Sequence, residues 1–287
     1  MSYVLVTGCN GFIGRKLSEA LLNKGYRVLG LSSSEFRGSI HKNFKFIQLD
    51  LRESIKVKDI FEKYEISSVI HLAALAHLKN KKEISWNEYY RVNVLASKTI
   101  FNCAIKANAN IFYASTVDVY GEVGSQLISE DQQPKPISDY AKSKYLAEKI
   151  LMNLVIKNNV NYCVGRFATV YSRDFMKDVY KRVYFKFPSL AFIVNGGFDY
   201  HFVSVNNVID FIISWLKNSN NTVGIYNVCD NKLINSKELI KLEKSVGNSK
   251  KVIKFSKKVL SFMNKLVYLL NKIIRNNKLT KINNNLY

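Results

Sequence analysis

The feature that most constrains this chain lies in its first fourteen residues. Tyr3 to Thr7 is a short apolar run that ends in Thr7-Gly8-Cys9-Asn10-Gly11-Phe12-Ile13-Gly14, and Phe12 to Asn23 continues with helical periodicity. At this G-x-x-G-x-x-G spacing the first glycine permits a tight turn, the second lets backbone approach a bound group, and the third allows close helix packing. The amides at the helix start, reinforced by the helix dipole, then suit an anion such as a pyrophosphate. The segment predicts a dinucleotide cradle built from Gly8, Asn10, Gly11, Phe12, Ile13 and Gly14.

The rest of the first half alternates in the same way. Apolar runs at Tyr26 to Leu31, Phe44 to Leu49, Ser68 to Ala73, Asn110 to Ala114 and Asn161 to Phe167 predict strands, and Val57 to Tyr64, Tyr89 to Ala107 and Asp139 to Lys157 predict helices. Buried strands joined by helices of this length imply a parallel sheet with right-handed crossovers. The expectation is an α/β doubly wound sheet whose ligands sit at the carboxyl ends of the strands. Past Thr169 the alternation weakens: Val208 to Lys217 and Ser236 to Ser245 read as helices, and Gly224 to Val228 as a strand. This divides the chain into a dinucleotide-binding domain, 1–168, and a smaller C-terminal α/β substrate lobe, 169–287.

Composition removes several classes of function. A hydrophobic content of 47% in 287 residues supports a true core. The four cysteines form no C-x-x-C pair and the four histidines show no ligand spacing, so no disulfide framework or metal site is expected. The first strand begins at Tyr3 and no apolar stretch is long enough to span a bilayer, which points to the cytoplasm. The formal net charge of +21 fits a lysine-rich host composition, an anionic substrate and cofactor, or a nearby anionic membrane. The basic residues are dispersed and carry no nucleic-acid motif, so no nucleic-acid partner is expected.

Tyr140-Ala141-Lys142-Ser143-Lys144 places a tyrosine and a lysine four residues apart on one helix face. An ammonium one turn from a phenol stabilises phenolate, lowering the tyrosine pKa and readying it for proton exchange with a substrate hydroxyl. Alone, the pair reads better as a solvated helix face. It is accompanied by Ser115-Thr116-Val117-Asp118-Val119-Tyr120-Gly121 at the end of the Asn110 strand.

Together the glycine cradle, the strand-end hydroxyl and the tyrosine–lysine pair resemble the extended short-chain dehydrogenase/reductase family, and within it the nucleotide-sugar epimerases, dehydratases and 4-ketoreductases. The resemblance runs from Tyr3 to about Val228. It implies a Rossmann fold, a catalytic Thr116, Tyr140 and Lys144, and Tyr140 and Lys144 also in contact with the cofactor. It further implies that Asp50 and Leu51 lie at the adenine, that Leu72, Ala73 and Ala74 form a loop under the cofactor, and that Asn93 is a structural asparagine beside it. Ser115, Thr116, Thr169 and Tyr200 fall in substrate-binding places. The implied partner is a nucleotide sugar, and the implied role is the making of surface-polysaccharide precursors.

Selection between NAD and NADP turns on the end of the second strand. The ribose carboxylate expected there is replaced by Leu31-Ser32-Ser33-Ser34, with Arg37 beyond. Ser32 is a candidate for the ribose itself, while the missing charge and Arg37 tilt the expectation toward NADP.

Two departures bear on the reaction. Dehydratases of this family carry an Asp-Glu pair after the threonine, where this chain has Val117 and Asp118. Valine donates no proton, so an epimerase is expected, with 4-keto reduction as the alternative and dehydration or dinucleotide binding without catalysis as lesser readings. In Asn195 to Val205, Tyr200 stands where the family often places an arginine against the substrate diphosphate, leaving Arg173, Lys181 and Arg182 as nearby basic candidates. Finally, Val259 to Ile274 repeats apolar residues at helical spacing opposite Lys258, Lys265, Lys272 and Arg275. This amphipathic helix is expected to pack on its own lobe or in a homodimer, with peripheral contact to an anionic membrane as the alternative. The polar tail from Asn276 is expected to fray.

Overall fold

The computed structural model describes residues 2–36, 38, 41–76, 84–124, 127–184, 190–194, 196–248 and 251–256. The strands are β1 (Tyr3–Thr7), β2 (Val28–Ser32), β3 (Phe44–Gln48), β4 (Ile66–His71), β5 (Asn110–Thr116), β6 (Tyr162–Phe167), β7 (Thr169–Tyr171), β8 (Leu190–Val194), β9 (Asp199–Tyr200), β10 (Phe202–Ser204), β11 (Gly224–Val228), β12 (Ile234–Asn235) and β13 (Lys251–Phe255). The helices are α1 (Phe12–Asn23), α2 (Ser54–Lys63), α3 (Trp86–Tyr89), α4 (Ala96–Lys106), α5 (Asp139–Asn158), α6 (Lys177–Tyr180), α7 (Val205–Lys217) and α8 (Ser236–Ser245).

Seven strands form one sheet in the order β11-β6-β5-β4-β1-β2-β3, every pair parallel. This is the doubly wound order, reversing between β1 and β4. Successive residues of β5 display the two layers. Phe112 meets Phe211 and Trp215 of α7, while Ile111 and Tyr113 join a cluster with Phe101 of α4 and Leu151 of α5. Leu5, Leu29, Val69 and Ile111 are fully buried. Truncating one such leucine or isoleucine to alanine costs about 2–5 kcal/mol.

The chain divides into two compact units, and the second is not the whole of 169–287. One unit is Met1–Ala168 with Val205–Val228, the other Thr169–Ser204 with the residues from Cys229 onward. Two packing requirements return Val205–Val228 to the first unit. β11 supplies the backbone partners of β6, from Gly224 against Cys163 to Val228 against Phe167. The apolar face of α7 packs on α1 and on the aromatic side of β5. The second unit holds α6, α8 and three two-stranded sheets: β7 with β10 and β8 with β13, both parallel, and β9 with β12, antiparallel.

The helix expected over Tyr89 to Ala107 is broken in register. α3 starts at Ser85 with a capping box to Glu88, and a π-helical turn, Tyr90–Leu95, precedes α4. The wide turn inserts a residue into the ladder, a distortion frequent at functional sites. Here it carries the buried Asn93.

The predicted helix Val259 to Ile274 with its membrane or dimer contact, the tail from Asn276, Asn195 and Arg37 lie outside the described residues. Among the described residues no helix is long and apolar enough to cross a membrane, and no cluster of metal-ligand types occurs.

Candidate active site

The strands of the parallel sheet all end at the same edge, and the site residues of the first unit gather there and at the head of α5. The cradle leaves β1 through Gly8, whose φ of 72° is a left-handed conformation that glycine adopts freely. A Cβ at Gly8 would lie 2.9 Å from Ala73 Cα, so this turn and the Leu72–Ala73 loop touch backbone to backbone. α1 begins at Gly11 with no side chain capping it and no acidic residue in its first turn. The positive end of its dipole is thus left for another anion. The amide of Asn10 donates to Ser34 O at 2.9 Å and Glu35 O at 2.8 Å, tying the cradle to the segment after Ser32, while its Oδ1 is buried without a partner.

A chain of buried polar groups connects this cradle to α5. Thr7 Oγ1 lies 2.6 Å from His71 Nδ1 and accepts from the amide of Ala73 at 3.2 Å. His71 Nε2 is 2.8 Å from Ser97 Oγ, which donates to Asn93 O at 2.7 Å. From the π-helical turn, Asn93 Nδ2 donates to Ser143 Oγ at 2.9 Å and to Leu75 O at 3.0 Å, and Asn93 Oδ1 accepts from the Leu75 amide at 2.7 Å. Ser143 Oγ then donates to Tyr140 O at 2.7 Å. Burial, with Lys144 adding repulsion, drives the His71 pKa down to about 3, so the imidazole is a neutral spacer.

α5 is started by Ser138, whose hydroxyl accepts from the Ala141 amide at 3.1 Å, with Asp139 favourably placed in the first turn. Its next turns carry Tyr140 and Lys144. Lys144 is 2% exposed, and its Nζ lies 4.2 Å from the centroid of the Tyr113 ring. Among the described residues no hydrogen-bond acceptor meets this ammonium. Burial lowers its pKa to about 7 against the opposing pull of Glu148. Thr116 ends β5 and caps a short 3-10 turn, Val117–Tyr120, accepting from the Asp118 amide at 3.2 Å; that turn packs against α5.

The phenol of Tyr140 departs from the sequence expectation. Its pKa is raised, first by burial, then by the charge of Asp118 and by Tyr89, whose ring centroid is 6.3 Å away. The expected lowering by Lys144 does not arise: that ammonium turns to Tyr113 and is itself weakened by burial.

Two further site candidates already hold bonds within the chain. Ser115, on the face of β5 that meets α5, donates its hydroxyl to the buried carboxylate of Glu148, so its proton is committed to α5. The carboxylate of Asp50, beside Leu51, is held by the Arg52 side chain and amide, which keep its pKa below the ordinary value. Ser32 ends β2 and lies 3.4 Å from Ser34 Oγ.

Thr169 and Tyr200 belong to the second unit. Thr169 opens β7 opposite Phe202 of β10, and Tyr200 pairs with Ile234 of β12. The Tyr200 ring packs 5.9 Å from that of Phe202, and the guanidinium of Arg182 lies 5.4 Å over it. Of the three basic candidates near this segment, Arg182 is the one on Tyr200.

Sequence reading missed Glu148, Arg166, Tyr113 and Tyr89. Glu148 had a visible signal, because Tyr140, Lys144 and Glu148 repeat at four residues along one helix face. Tyr113 had none, since an aromatic residue inside a buried strand reads as core.

The comparisons agree with this architecture. The pattern of the NAD dependent epimerase/dehydratase family matches residues 4–229. UDP-glucuronate 4-epimerase of Thermodesulfobacterium geofontis is 32% identical over 186 residues, covering 60% of this chain and 57% of the relative. GDP-6-deoxy-D-talose 4-dehydrogenase of Aggregatibacter actinomycetemcomitans is 30% identical over 152 residues, 52% of this chain and 47% of the relative. The chain thus spans about half the length of these relatives. Among solved structures, the NAD complex of Thermus thermophilus UDP-glucose 4-epimerase superposes with a TM-score of 0.71 at 25% identity, covering 88% of this chain and 86% of that one. The UDP-Glc/GlcNAc 4-epimerase of Campylobacter jejuni shares the fold at a TM-score of 0.77 and 21% identity, over 89% and 87% of the two chains. With 4–229 matched throughout, this chain belongs to the NAD dependent epimerase/dehydratase family.

Proposed function

We propose that this protein is an NAD-dependent nucleotide-sugar epimerase acting at a sugar carbon, C4 by analogy with its relatives, in the supply of surface-polysaccharide precursors. The observation that supports the reading is that Thr116 ends β5 and caps a 3-10 turn packed against α5, the helix of Tyr140 and Lys144, while β1 leads through a glycine turn into an uncapped helix. The unpartnered Asn10 Oδ1 and the Lys144 ammonium suit the polar atoms of a dinucleotide. The cofactor assigned is NAD. The Thermus neighbour is a complex with NAD, the tilt toward NADP finds no support in it, and the basic residue behind that tilt, Arg37, lies outside the described residues.

When bound, the oxidised nicotinamide supplies a hydride acceptor and a positive charge. Tyr140 would take the proton of the sugar hydroxyl and return it, Thr116 would hold the same oxygen, and Lys144 would bind cofactor ribose. Val117 offers no acid to expel water. The test is turnover of UDP-, GDP- and dTDP-sugars without added reductant; interconversion of C4 epimers is expected. A second reading, reduction of a 4-keto sugar, is favoured by the serine-rich end of β2, which lacks a ribose carboxylate. Stoichiometric consumption of reduced cofactor, with no epimerisation, would replace the first reading by the second.

A further inference from the structure

Beneath the catalytic pair lies a second buried network, separate from the chain that passes through His71. Glu148 sits on α5 one turn past Lys144 and is 1% exposed. Its carboxylate accepts from Ser115 on β5 and from Arg166 on β6, whose Nη2 approaches Oε2 at 2.7 Å and whose Nε lies 3.2 Å from Oε1. Arg166 is 2% exposed and also donates to the Tyr120 hydroxyl at 2.7 Å. Tyr120 in turn donates to Asn227 Oδ1 of β11 at 2.8 Å. Ser115 and Thr116 are adjacent in β5, and Glu148 shares a helix face with Tyr140 and Lys144.

We propose that Glu148 is a positioning residue of the reaction: through Ser115 it fastens the strand end bearing Thr116 to the helix bearing Tyr140, and its charge holds Lys144 as an ammonium inside the core. The proposal rests on the catalytic reading above. It follows from what surrounds Lys144. On its own helix are Tyr140 and Glu148; from β4 comes His71, from β5 Tyr113, and from β6, through Glu148, Arg166. His71 is neutral and Tyr113 un-ionised, its pKa raised by burial and by Glu148. Glu148 is therefore the one negative charge in this group, and it faces two cations. An arginine does not release its proton in proteins. If the carboxylate loses its charge, Lys144 is the cation that yields.

The proposal makes separable demands. Lys144 and Glu148 stand one turn apart on α5, and an opposite charge within about 4–6 Å shifts a pKa by about 1–3 units, so Glu148→Gln should move the Lys144 titration down by about one pH unit. The full-length protein without substrate is used, and the Lys144 13Cε resonance is followed with pH after assignment by its loss in Lys144→Met. Ser115→Ala keeps the charge and removes the fastening. It should leave the Lys144 titration in place while lowering kcat, by up to about 10²-fold for a misplacement of an ångström, with KM little changed. Glu148→Asp should restore the parent titration. If Glu148→Gln does not fold, Arg166→Gln gives the mirror test, because removing a cation should move Lys144 upward. An unchanged Lys144 titration in these charge variants, or an equal shift in Ser115→Ala, overturns the electrostatic role. Parent kcat in Ser115→Ala overturns the fastening. A parent protein inactive on every nucleotide sugar would sink the functional reading and leave the measured titrations standing.

Discussion

Gly14→Ala should loosen this protein while Gly11→Ala leaves it nearly as stable, although the two glycines are three residues apart at the head of one helix. On propensity alone, alanine beats glycine in a helix interior by about 1 kcal/mol, which would make Gly14→Ala stabilising. What a methyl group would meet reverses the sign. A Cβ on Gly14 would overlap the carbonyl oxygen of Gly8 and lie 2.8 Å from Cys9 Cα and 2.9 Å from the Gly8 carbonyl carbon. Comfortable carbon–carbon contacts are about 3.5–4.0 Å, so the turn must retreat by most of an ångström. Overpacking costs about 1–3 kcal/mol, and an obstacle made of backbone belongs at the top of that range. Net destabilisation of about 2 kcal/mol remains, a fall in Tm of roughly 4–8 °C for a unit of this size. Gly11 has a φ of −71°, and its Cβ would meet only Gly8 O, at 3.0 Å. Alanine is a poorer N-cap than glycine, a loss under about 1 kcal/mol. That methyl group instead projects into the space proposed for pyrophosphate, so NAD affinity should collapse. Urea unfolding and NAD calorimetry on both variants measure the two effects. A Gly14→Ala protein as stable as its parent refutes the packing argument. Gly11→Ala binding NAD within a few-fold refutes the cradle.

Other outcomes follow from the site. Tyr140→Phe keeps the ring, so folding and NAD binding should survive while turnover falls by about 10²–10⁴; turnover at the parent rate would end the proposed chemistry, and Thr116→Val should be milder. Asp118→Asn removes a charge that raises the Tyr140 pKa, so the limb of the kcat/KM–pH profile set by Tyr140 should move to lower pH; an unmoved limb would remove Asp118 from the site. His71 has a folded pKa of about 3 against 6.5 for the free side chain. Its contribution is present above 6.5 and is lost as pH falls toward 3, at about 1.4 kcal/mol per pH unit. His71→Gln should therefore show a shallower fall in unfolding free energy between pH 6 and 4, roughly the span of that loss; parallel slopes would mean that the imidazole is not held neutral.

How much of this was legible in the sequence depended on the range of the interaction. The bounds of α1, β1, β11 and α8 follow from local periodicity and punctuation, and so does the closeness of Tyr140 and Lys144. The π-helical turn was not legible, because Tyr90 to Leu95 has ordinary helical composition and its register is set by Asn93 reaching Leu75 and Ser143. The unit boundary failed at Val205–Val228 for a similar reason: which strand β11 joins depends on the free edge of β6, which no local pattern records. The Tyr140 pKa shift was misjudged because spacing places a lysine near a tyrosine without saying where the ammonium points.

The late return of β11 to the sheet has a consequence for making the protein. During synthesis β6 is complete well before β11, and 169–204 and α7 come between them. At about 5–20 residues per second, the outer edge of β6 stands unpaired for seconds. An unpaired edge strand is a template for intermolecular pairing. A fragment ending at residue 168 carries that exposed edge permanently and lacks Asn227, the partner of Tyr120. An independent cofactor-binding module would need 1–168 joined to 205–228, with the excursion between them replaced by a short linker.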